Sequence, residues 1–306
     1  MLGRSFADPF ILKDGSHYIA FATGNLTYNI QVATSDDLVT WSSPREALGG
    51  LAIWQPSSKG LTWAPEVMKT SAGYVMYYTA RDVQAGKQCL SIAIATEATG
   101  PYEDNSKRPL VCQLDLGGSI DSSPFKDQDG ALWLLWKNDG NCCGEPTRLW
   151  AQRLSADGTK LTGEAHDLGE RNDKPWERNV VEAPTLLLHD GTYVLFYSAN
   201  AYNTRDYAVG YATARDLLGP YTDAAENPIL KTTAPVGSPP GQAAGPGHQS
   251  VVQDDDGDLW MVYHAWDVAR VGDEISGTRS LWIDPLTFEN GKPVVHGPNA
   301  SPQPVP

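Results

Sequence analysis

The chain has 306 residues, of which 41% are hydrophobic and 10 are tryptophan, so it carries ample apolar material for a packed core. Its formal net charge is -14 at pH 7, with acidic residues scattered along the chain, which disfavours nucleic acid or an anionic membrane surface as a partner. Because the acidic charge disfavours polyanionic partners, a neutral substrate is expected. No stretch approaches the roughly 20 consecutive apolar residues of a membrane span.

Five short apolar runs, rich in aromatic and β-branched residues, predict β-strands, whereas no sustained helical spacing of apolar residues occurs. In chain order the runs are YIAFAT, YVMYYTA, LWLLWKN, YVLFYSAN and LWMVYHAW. Each run follows a turn that contains glycine, as expected for the second strand of a hairpin. Segments downstream, such as VATSDDLVTW and GYATARDLLGPY, predict a third strand and an outer edge for the first four units.

A polar residue lies upstream of each turn, beside a proline or a buried strand. These residues recur about every 60 residues and are Asp8, Glu66, Asp121, Glu182 and His248. A repeat of this length is typical of a propeller blade, so the predicted fold class is all-β, a five-bladed β-propeller forming a single catalytic domain over 1–306. The predicted blades are 5–60, 61–115, 116–175, 176–240 and 241–297, with a C-terminal tail at 298–306.

The first strand of each propeller blade lines the central axis. We therefore expect the five polar side chains to share one register and to converge on one funnel, although they are far apart in sequence. A β-sandwich would give a similar number of strands, but it would not place the acidic residues in register.

The carboxyl groups of this ring suit an inverting glycosidase, in which one carboxylic acid protonates the leaving oxygen while a carboxylate about 6.5–9.5 Å away activates water. Glu182 lies in an apolar segment, NVVEAPT, which should raise its pKa and keep it protonated as the acid. Asp8 is then the base, and Asp121 lies near Glu182 as a like charge that raises its pKa and orients it. The structural alternative is that an aspartate before proline is only a turn or a cap.

Five segments carry a resemblance to a known family: ADPFI, WAPEV, IDSSPF, VVEAPTL and GHQSVV. In order and spacing they resemble the inner-strand motifs of glycoside hydrolase family 43, whose members are five-bladed propellers. The resemblance implies an inverting enzyme that acts on arabinose- or xylose-containing oligosaccharides and polysaccharides. It also implies that Asp8 is the general base, Asp121 the pKa-modulating and orienting acid, and Glu182 the general acid.

The same resemblance extends to two further residues. His248 matches a histidine at the base of the funnel that is often associated with a calcium ion or water; the alternative is a hydrogen-bonded core histidine. One imidazole would hold calcium only if water supplied most of the ligands, so we expect no required cofactor and leave a structural calcium ion in the funnel open. Arg279 matches an arginine that reaches the sugar in the first subsite, and a surface arginine is the alternative.

Two other residues are predicted to bind substrate. Trp63 is a candidate platform for the C–H face of a sugar. Glu66 has no role in proton transfer and is expected only to bind the sugar or to structure the pocket.

The resemblance leaves the sugar open, because the family includes arabinofuranosidases, xylosidases and endo-arabinanases. We predict an exo-acting α-L-arabinofuranosidase that releases terminal arabinose from arabinan or arabinoxylan fragments. A β-D-xylosidase or a bifunctional enzyme is the alternative within the family, and a non-catalytic carbohydrate-binding propeller is the alternative from a different class. The loops NDGNCCGEP and APVGSPPGQAAGPG are expected to shape the rim of the funnel.

The cysteines Cys89, Cys112, Cys142 and Cys143 match no zinc spacing, and buried thiols are expected, with disulfides as the alternative. The opening residues MLGRSFADPF contain no apolar export signal. We expect a secreted protein whose signal is absent from this chain, with a cytoplasmic protein as the alternative, and a monomer.

Overall fold

The computed structural model describes residues 5–300, which form five β-sheets arranged as the blades of a propeller. The strands of the first blade are β1 (Phe10–Asp14), β2 (His17–Ala22), β3 (Gln31–Ser35) and β4 (Arg45–Glu46). Those of the second are β5 (Leu48–Gly50), β6 (Thr62–Thr70), β7 (Gly73–Asp82), β8 (Lys87–Ala95) and β9 (Tyr102–Glu103). Those of the third are β10 (Ser119–Lys126), β11 (Leu132–Asn138), β12 (Arg148–Leu154) and β13 (Leu161–Arg171).

The fourth and fifth blades repeat the same order, with each strand hydrogen-bonded to the next. The strands of the fourth are β14 (Val181–His189), β15 (Thr192–Ala199), β16 (Ala208–Ala214) and β17 (Thr222–Asp223). Those of the fifth are β18 (Ala243–Gln253), β19 (Leu259–Asp267), β20 (Arg279–Glu289) and β21 (Lys292–Val295). The predicted all-β, five-bladed fold is confirmed.

The five apolar runs are the second strands of their blades, namely β2, β7, β11, β15 and β19. Each of these strands has a hydrogen-bonded neighbour on both sides and is buried along most of its length. Because both faces are covered by adjacent blades, the strands show continuous apolar runs instead of alternation.

The hydrophobic core lies between the blades. One buried cluster lies at each of the five junctions between neighbouring blades, for example Phe21 with Tyr78 between the first and second. The apolar side chains are therefore used between the blades, and the central axis is left to polar groups.

The ring closes where the beginning of the chain meets the fifth blade. The Phe6 N–H donates to the Arg279 carbonyl oxygen at 2.8 Å, and the fully buried Phe6 ring packs against Val262 and Leu281. One predicted boundary needs correction: residues 48–50 were assigned to the first blade, but β5 pairs in parallel with β9 of the second. Residues 301–306 of the predicted tail lie outside the described residues.

The helices of residues 5–300 are two single 3₁₀ turns, Leu114–Leu116 and Gly140–Cys142. Within this range no helix is long and apolar enough to cross a membrane. The prediction of buried thiols is wrong, because Cys89 is bonded to Cys112 and Cys142 to its neighbour Cys143.

Candidate active site

Each inner segment contains one residue other than glycine with a positive φ angle. These residues are Asp8, Ala64, Asp121, Ala183 and His248, with φ between 44° at Ala64 and 57° at Asp121. In blades two to five the residue falls at a break in strand register, which is the geometry of a β-bulge. A bulge turns its side chain out of the sheet, so the side chains at these positions point toward the axis of the propeller.

The predicted common register is therefore correct for Asp8, Asp121 and His248, and wrong for the two glutamates. Glu182 lies one residue before the bulge residue Ala183, and Glu66 lies two residues after Ala64. Hairpin turns of different length cause the error for Glu182: β14 and β15 pair up to His189 and Thr192, whereas the β10–β11 turn spans the five residues 127–131. Counting back from the turn therefore aligns residues that are not equivalent.

The amide N–H of each bulge residue is held by a side chain from the preceding blade in the ring. The acceptors are Thr23 Oγ1 for Ala64 at 2.9 Å, Thr79 Oγ1 for Asp121 at 3.2 Å, Ser198 Oγ for His248 at 2.7 Å and His264 Nδ1 for Asp8 at 3.1 Å. The equivalent position in the third blade is Lys137, which has no acceptor atom. The Ala183 N–H donates instead to Asp121 Oδ2 at 3.1 Å, and this bond ties Asp121 to the segment that carries Glu182.

Asp8 lies in a cationic setting. Its Oδ1 lies 3.1 Å from Arg279 Nη1 and 3.4 Å from His248 Nδ1, and the Thr23 hydroxyl donates to its Oδ2. Burial acts to raise the pKa of Asp8, but His248 and Arg279 outweigh burial and hold the pKa well below its usual value. Asp8 is therefore ionised at neutral pH, as a general base must be.

His264 is a neutral neighbour of Asp8. Burial lowers the pKa of His264 to about 4, and its Nδ1 accepts the Asp8 backbone N–H, so the ring proton lies on Nε2. The approach of Nδ1 to within 3.2 Å of Asp8 Oδ1 is consequently not an ion pair at neutral pH.

Glu182 is held by two donors. The Tyr207 hydroxyl donates to Oε1 at 2.7 Å, and the fully buried Lys137 Nζ donates to Oε2 at 3.1 Å. Burial acts to raise the pKa of Glu182, but Lys137, His248 and Tyr207 prevail and the net shift is downward. The predicted upward shift is wrong, because Lys137 and Tyr207, both distant in sequence, contact the carboxylate and outweigh burial.

Asp121, unlike Asp8 and Glu182, has a raised pKa. Burial, reinforced by the negative charges of Glu182 and Asp8 and opposed by His248 and Lys137, raises the pKa of Asp121 to about 6. Asp121 and Glu182 act on each other as like charges, so below that pH the pair holds one proton.

One cavity of about 360 Å³ brings most of the predicted residues together. Its lining includes the predicted Asp8, Trp63, Asp121, Glu182, His248 and Arg279. The Arg279 guanidinium also lies 4.6 Å from the centre of the Tyr202 ring, and Tyr202 is part of the same wall. A larger groove of about 510 Å³, lined by Trp176, Arg205 and Lys231, contains none of these carboxyl groups.

Glu66 was predicted to bind substrate, but it does not line this cavity. It accepts a hydrogen bond from Ser123 Oγ at 2.9 Å and lines a separate cavity of about 390 Å³ with Phe10 and Thr185. Burial, with a contribution from Asp121, raises its pKa well above the usual value. The two-residue offset from the bulge at Ala64 explains the difference in position.

Several residues that line the cavity or contact Glu182 were missed in the sequence. Lys137 ends the apolar run LWLLWKN, where a charged residue is as conspicuous as Glu182 is in its own segment. Tyr202 and Tyr207 lie in a turn and next to a strand end and gave no signal of this kind. Cys142 belongs to the segment NDGNCCGEP that was expected to shape the rim, and it lines the cavity with Asp139 and Asn141.

A structural calcium ion in the funnel, which the sequence leaves open, has no cage of side chains among residues 5–300. Residues 5–300 contain no group of three or more His, Cys, Asp or Glu side chains placed to hold a metal ion. Calcium takes about six to eight oxygen ligands, so an ion beside His248 would depend on water for most of them. The calcium ion stays a prediction.

A five-bladed propeller with an ionised aspartate and a pair of interacting carboxyl groups in one axial cavity is the arrangement of a glycosidase that works by acid and base catalysis. Comparison with known proteins identifies the family of glycosidases. The family profile described as "Glycosyl hydrolases family 43" matches residues 2–293, and the chain belongs to that family of inverting enzymes.

Three similar proteins are each at most 30% identical to this chain. It is 28% identical over 302 residues to the β-D-galactofuranosidase xynD of Aspergillus niger, covering 92% of this chain and 79% of the relative. It is 25% identical to the extracellular endo-α-(1→5)-L-arabinanase 1 of Bacillus subtilis, covering 94% and 86%. The crystal structure of a thermostable family-43 glycoside hydrolase superimposes with a TM-score of 0.82 at 30% identity, covering 99% of this chain and 96% of the other.

Proposed function

We propose that the protein is an exo-acting α-L-arabinofuranosidase that releases terminal arabinose from arabinan or arabinoxylan fragments. In this proposal Asp8 is the general base, Glu182 the general acid, and Asp121 the residue that modulates and orients the acid. The observation that supports the proposal is the contrast within one cavity between Asp8, whose pKa is held well below its usual value, and the Asp121–Glu182 pair, which takes up a proton as the pH falls through about 6.

The proposed reaction needs two proton movements. Asp8 removes a proton from a water molecule as that water attacks the anomeric carbon, and Glu182 donates a proton to the glycosidic oxygen as the bond from the anomeric carbon breaks. Glu182 must hold the shared proton at that moment. Because Lys137 and Tyr207 favour its ionised form in the empty cavity, we propose that sugar binding transfers the proton from Asp121 to Glu182.

The choice of arabinose rests on the names of two relatives and on the size and lining of the cavity. The B. subtilis relative is named as an arabinanase and the A. niger relative as a furanosidase, so both names favour five-membered or arabinose-based substrates. The cavity lies within the range of about 300–1,000 Å³ typical of small-molecule pockets, and Trp63 and Tyr202 supply apolar faces for one sugar ring.

The test is hydrolysis of nitrophenyl α-L-arabinofuranoside, β-D-xyloside and β-D-galactofuranoside, followed by debranched arabinan. Preference for the arabinofuranoside, with arabinose as the first product from arabinan and its β-anomer appearing first by proton NMR, supports the proposal. A preference for the xyloside selects the xylosidase, and oligosaccharides as first products select an endo-enzyme. Sugar binding without any hydrolysis points to the non-catalytic propeller.

We also propose that the protein acts outside the cytoplasm. The B. subtilis relative is named as extracellular, and the two disulfides of this chain are typical of oxidising compartments. Fractionation of the producing cells tests this proposal, and activity confined to the cytoplasm would contradict it.

A further inference from the structure

The loop that follows β11 places a disulfide between adjacent residues inside the sugar cavity. Cys142 and Cys143 are bonded to each other, both are exposed, and Cys142 lines the cavity together with Asp8, Asp121 and Glu182. The disulfide therefore belongs to the wall of the cavity that holds the carboxyl groups.

The loop is fixed in place by its own backbone. The Gly140 carbonyl accepts the N–H groups of both Cys143 and Glu145 at 2.9 Å, and a Cβ at Gly140 would lie 2.6 Å from the carbonyl oxygens of Glu145 and Pro146. Only glycine fits there. The backbone of the loop therefore determines where the sulfur atoms lie.

The two sulfur atoms have different surroundings. Lys87 Nζ lies 2.7 Å from Cys143 Sγ and 3.7 Å from Cys142 Sγ, so the ammonium group is closer to Cys143. Cys142 is the member of the pair that lines the cavity.

A disulfide is uncharged, has no S–H donor and is polarisable, so it behaves as an apolar surface. The cavity is otherwise rich in charge, with Asp8, Asp121, Glu182 and Arg279 in its lining. A neutral sugar needs apolar contacts for its C–H groups as well as polar contacts for its hydroxyls. Trp63 and Tyr202 offer such contacts, and Cys142 offers another.

We propose that the Cys142–Cys143 disulfide is a substrate-contacting surface that packs against the C–H groups of the bound sugar and contributes to specificity. This inference rests on the proposed use of the cavity as the sugar site. It also makes substrate affinity sensitive to reductants, because reduction replaces the apolar pair with two polar thiols that are free to rotate apart.

The loop makes a second contact, and the experiment must distinguish the effect of this contact from that of the disulfide. Asn141 Oδ1 accepts a hydrogen bond from Lys137 Nζ at 2.7 Å, and Lys137 in turn binds Glu182. A change at the cysteines that merely displaced Asn141 would alter the titration of Glu182 and hence the pH profile. A lost sugar contact would instead raise KM and leave the profile in place.

The experiment compares wild type with the Cys142→Ser/Cys143→Ser double variant, each with and without tris(2-carboxyethyl)phosphine. The phosphine reduces the S–S bond to two thiols and is itself oxidised to the phosphine oxide with oxygen from water. We expect the double variant to raise KM, and the Kd for the product sugar, about three- to tenfold, with kcat and the pH profile little changed. Reduction should raise KM of the wild type similarly and leave the double variant unaffected.

A Cys89→Ala/Cys112→Ala variant is the matched control, because Cys89 is fully buried and neither residue lines the cavity. It should respond to the phosphine as the wild type does. Unchanged KM and Kd in both the double variant and the reduced wild type would overturn the inference, as would a shifted pH profile without a change in Kd. If the double variant does not fold, the reduced wild type, checked by circular dichroism, still decides. Failure of the proposed function appears separately, as an oxidised wild type that hydrolyses none of the three glycosides.

Discussion

Lys137 Nζ donates to Glu182 Oε2 at 3.1 Å from a side chain that has no exposure to solvent. Burying an ammonium group is costly unless it is paired and hydrogen-bonded, and Glu182 with Asn141 supplies those partners. The pairing also determines where the catalytic proton rests. It favours an ionised Glu182 and leaves the proton of the empty site on Asp121.

The pH dependence of the reaction follows from this pair. The active form carries one proton on Asp121 and Glu182, so kcat/KM should fall as the pH rises through about 6, the pKa of Asp121. Replacing Lys137 with methionine removes the cation that lowers the pKa of Glu182, so the alkaline limb should move to higher pH. A kcat/KM profile on the nitrophenyl glycoside checks both statements, and a limb that stayed in place in the variant would contradict the role of Lys137.

Glu182→Gln removes the proposed acid while keeping a similar shape. Turnover on natural linkages should fall by about 10²–10⁴, whereas substrates with good leaving groups should lose far less because they need little protonation. Rates on arabinan fragments and on the nitrophenyl glycoside measure this contrast. Asp121→Asn is the comparison variant, and if it alone showed the contrast, Asp121 would be the acid.

Asp8→Asn removes the base and the negative charge between Arg279 and His248. We expect turnover to fall by about 10²–10⁴ on every substrate, whatever its leaving group, while binding of arabinose stays measurable by calorimetry. Near-normal turnover in this variant would remove Asp8 from the mechanism.

Glu66→Gln provides a matched control, because Glu66 is a carboxyl group on an inner strand that does not line the sugar cavity. Burial raises the pKa of Glu66 and so favours its neutral form, which the amide resembles, so glutamine should be a close substitute. The expected kcat and KM lie within about twofold of wild type. A large loss of kcat would show that Glu66 acts on the reaction through Asp121.

Chelation tests the predicted calcium ion. Because both proton transfers are assigned to carboxyl groups, removal of divalent ions with EDTA should reduce kcat only modestly. Elemental analysis before and after dialysis determines whether an ion was bound. Complete loss of activity that calcium restores would show that a metal is required.

The fold could be predicted from the sequence because each blade produces a local pattern of residues. Each second strand is buried on both faces, and a run such as YVLFYSAN must then be continuously apolar. The glycine turns and the spacing of the runs supply the repeat. Asp8 and Glu182 were found for a related reason, since an acid beside buried strand residues is conspicuous.

The relationships between strands could not be predicted in the same way. The offset of Glu66 depends on a bulge, and the misalignment of Glu182 depends on turn length. Neither feature is marked by a characteristic amino-acid composition. The direction of the Glu182 pKa depends on Lys137, which is 45 residues away in sequence and adjacent only in the folded ring. The disulfides likewise depend on distances that no spacing rule supplies.

The contact between the first and fifth blades closes the propeller and links catalytic activity to the completion of folding. Asp8 lies on the segment that closes the ring, and its ion pair with Arg279 joins residues 271 positions apart. Asp8, the proposed base, receives its charge environment only when the first and fifth blades have met, so we expect a partly folded chain with four blades in place to be inactive. Recovery of activity during refolding should therefore lag behind the recovery of β-structure, and the delay would measure ring closure.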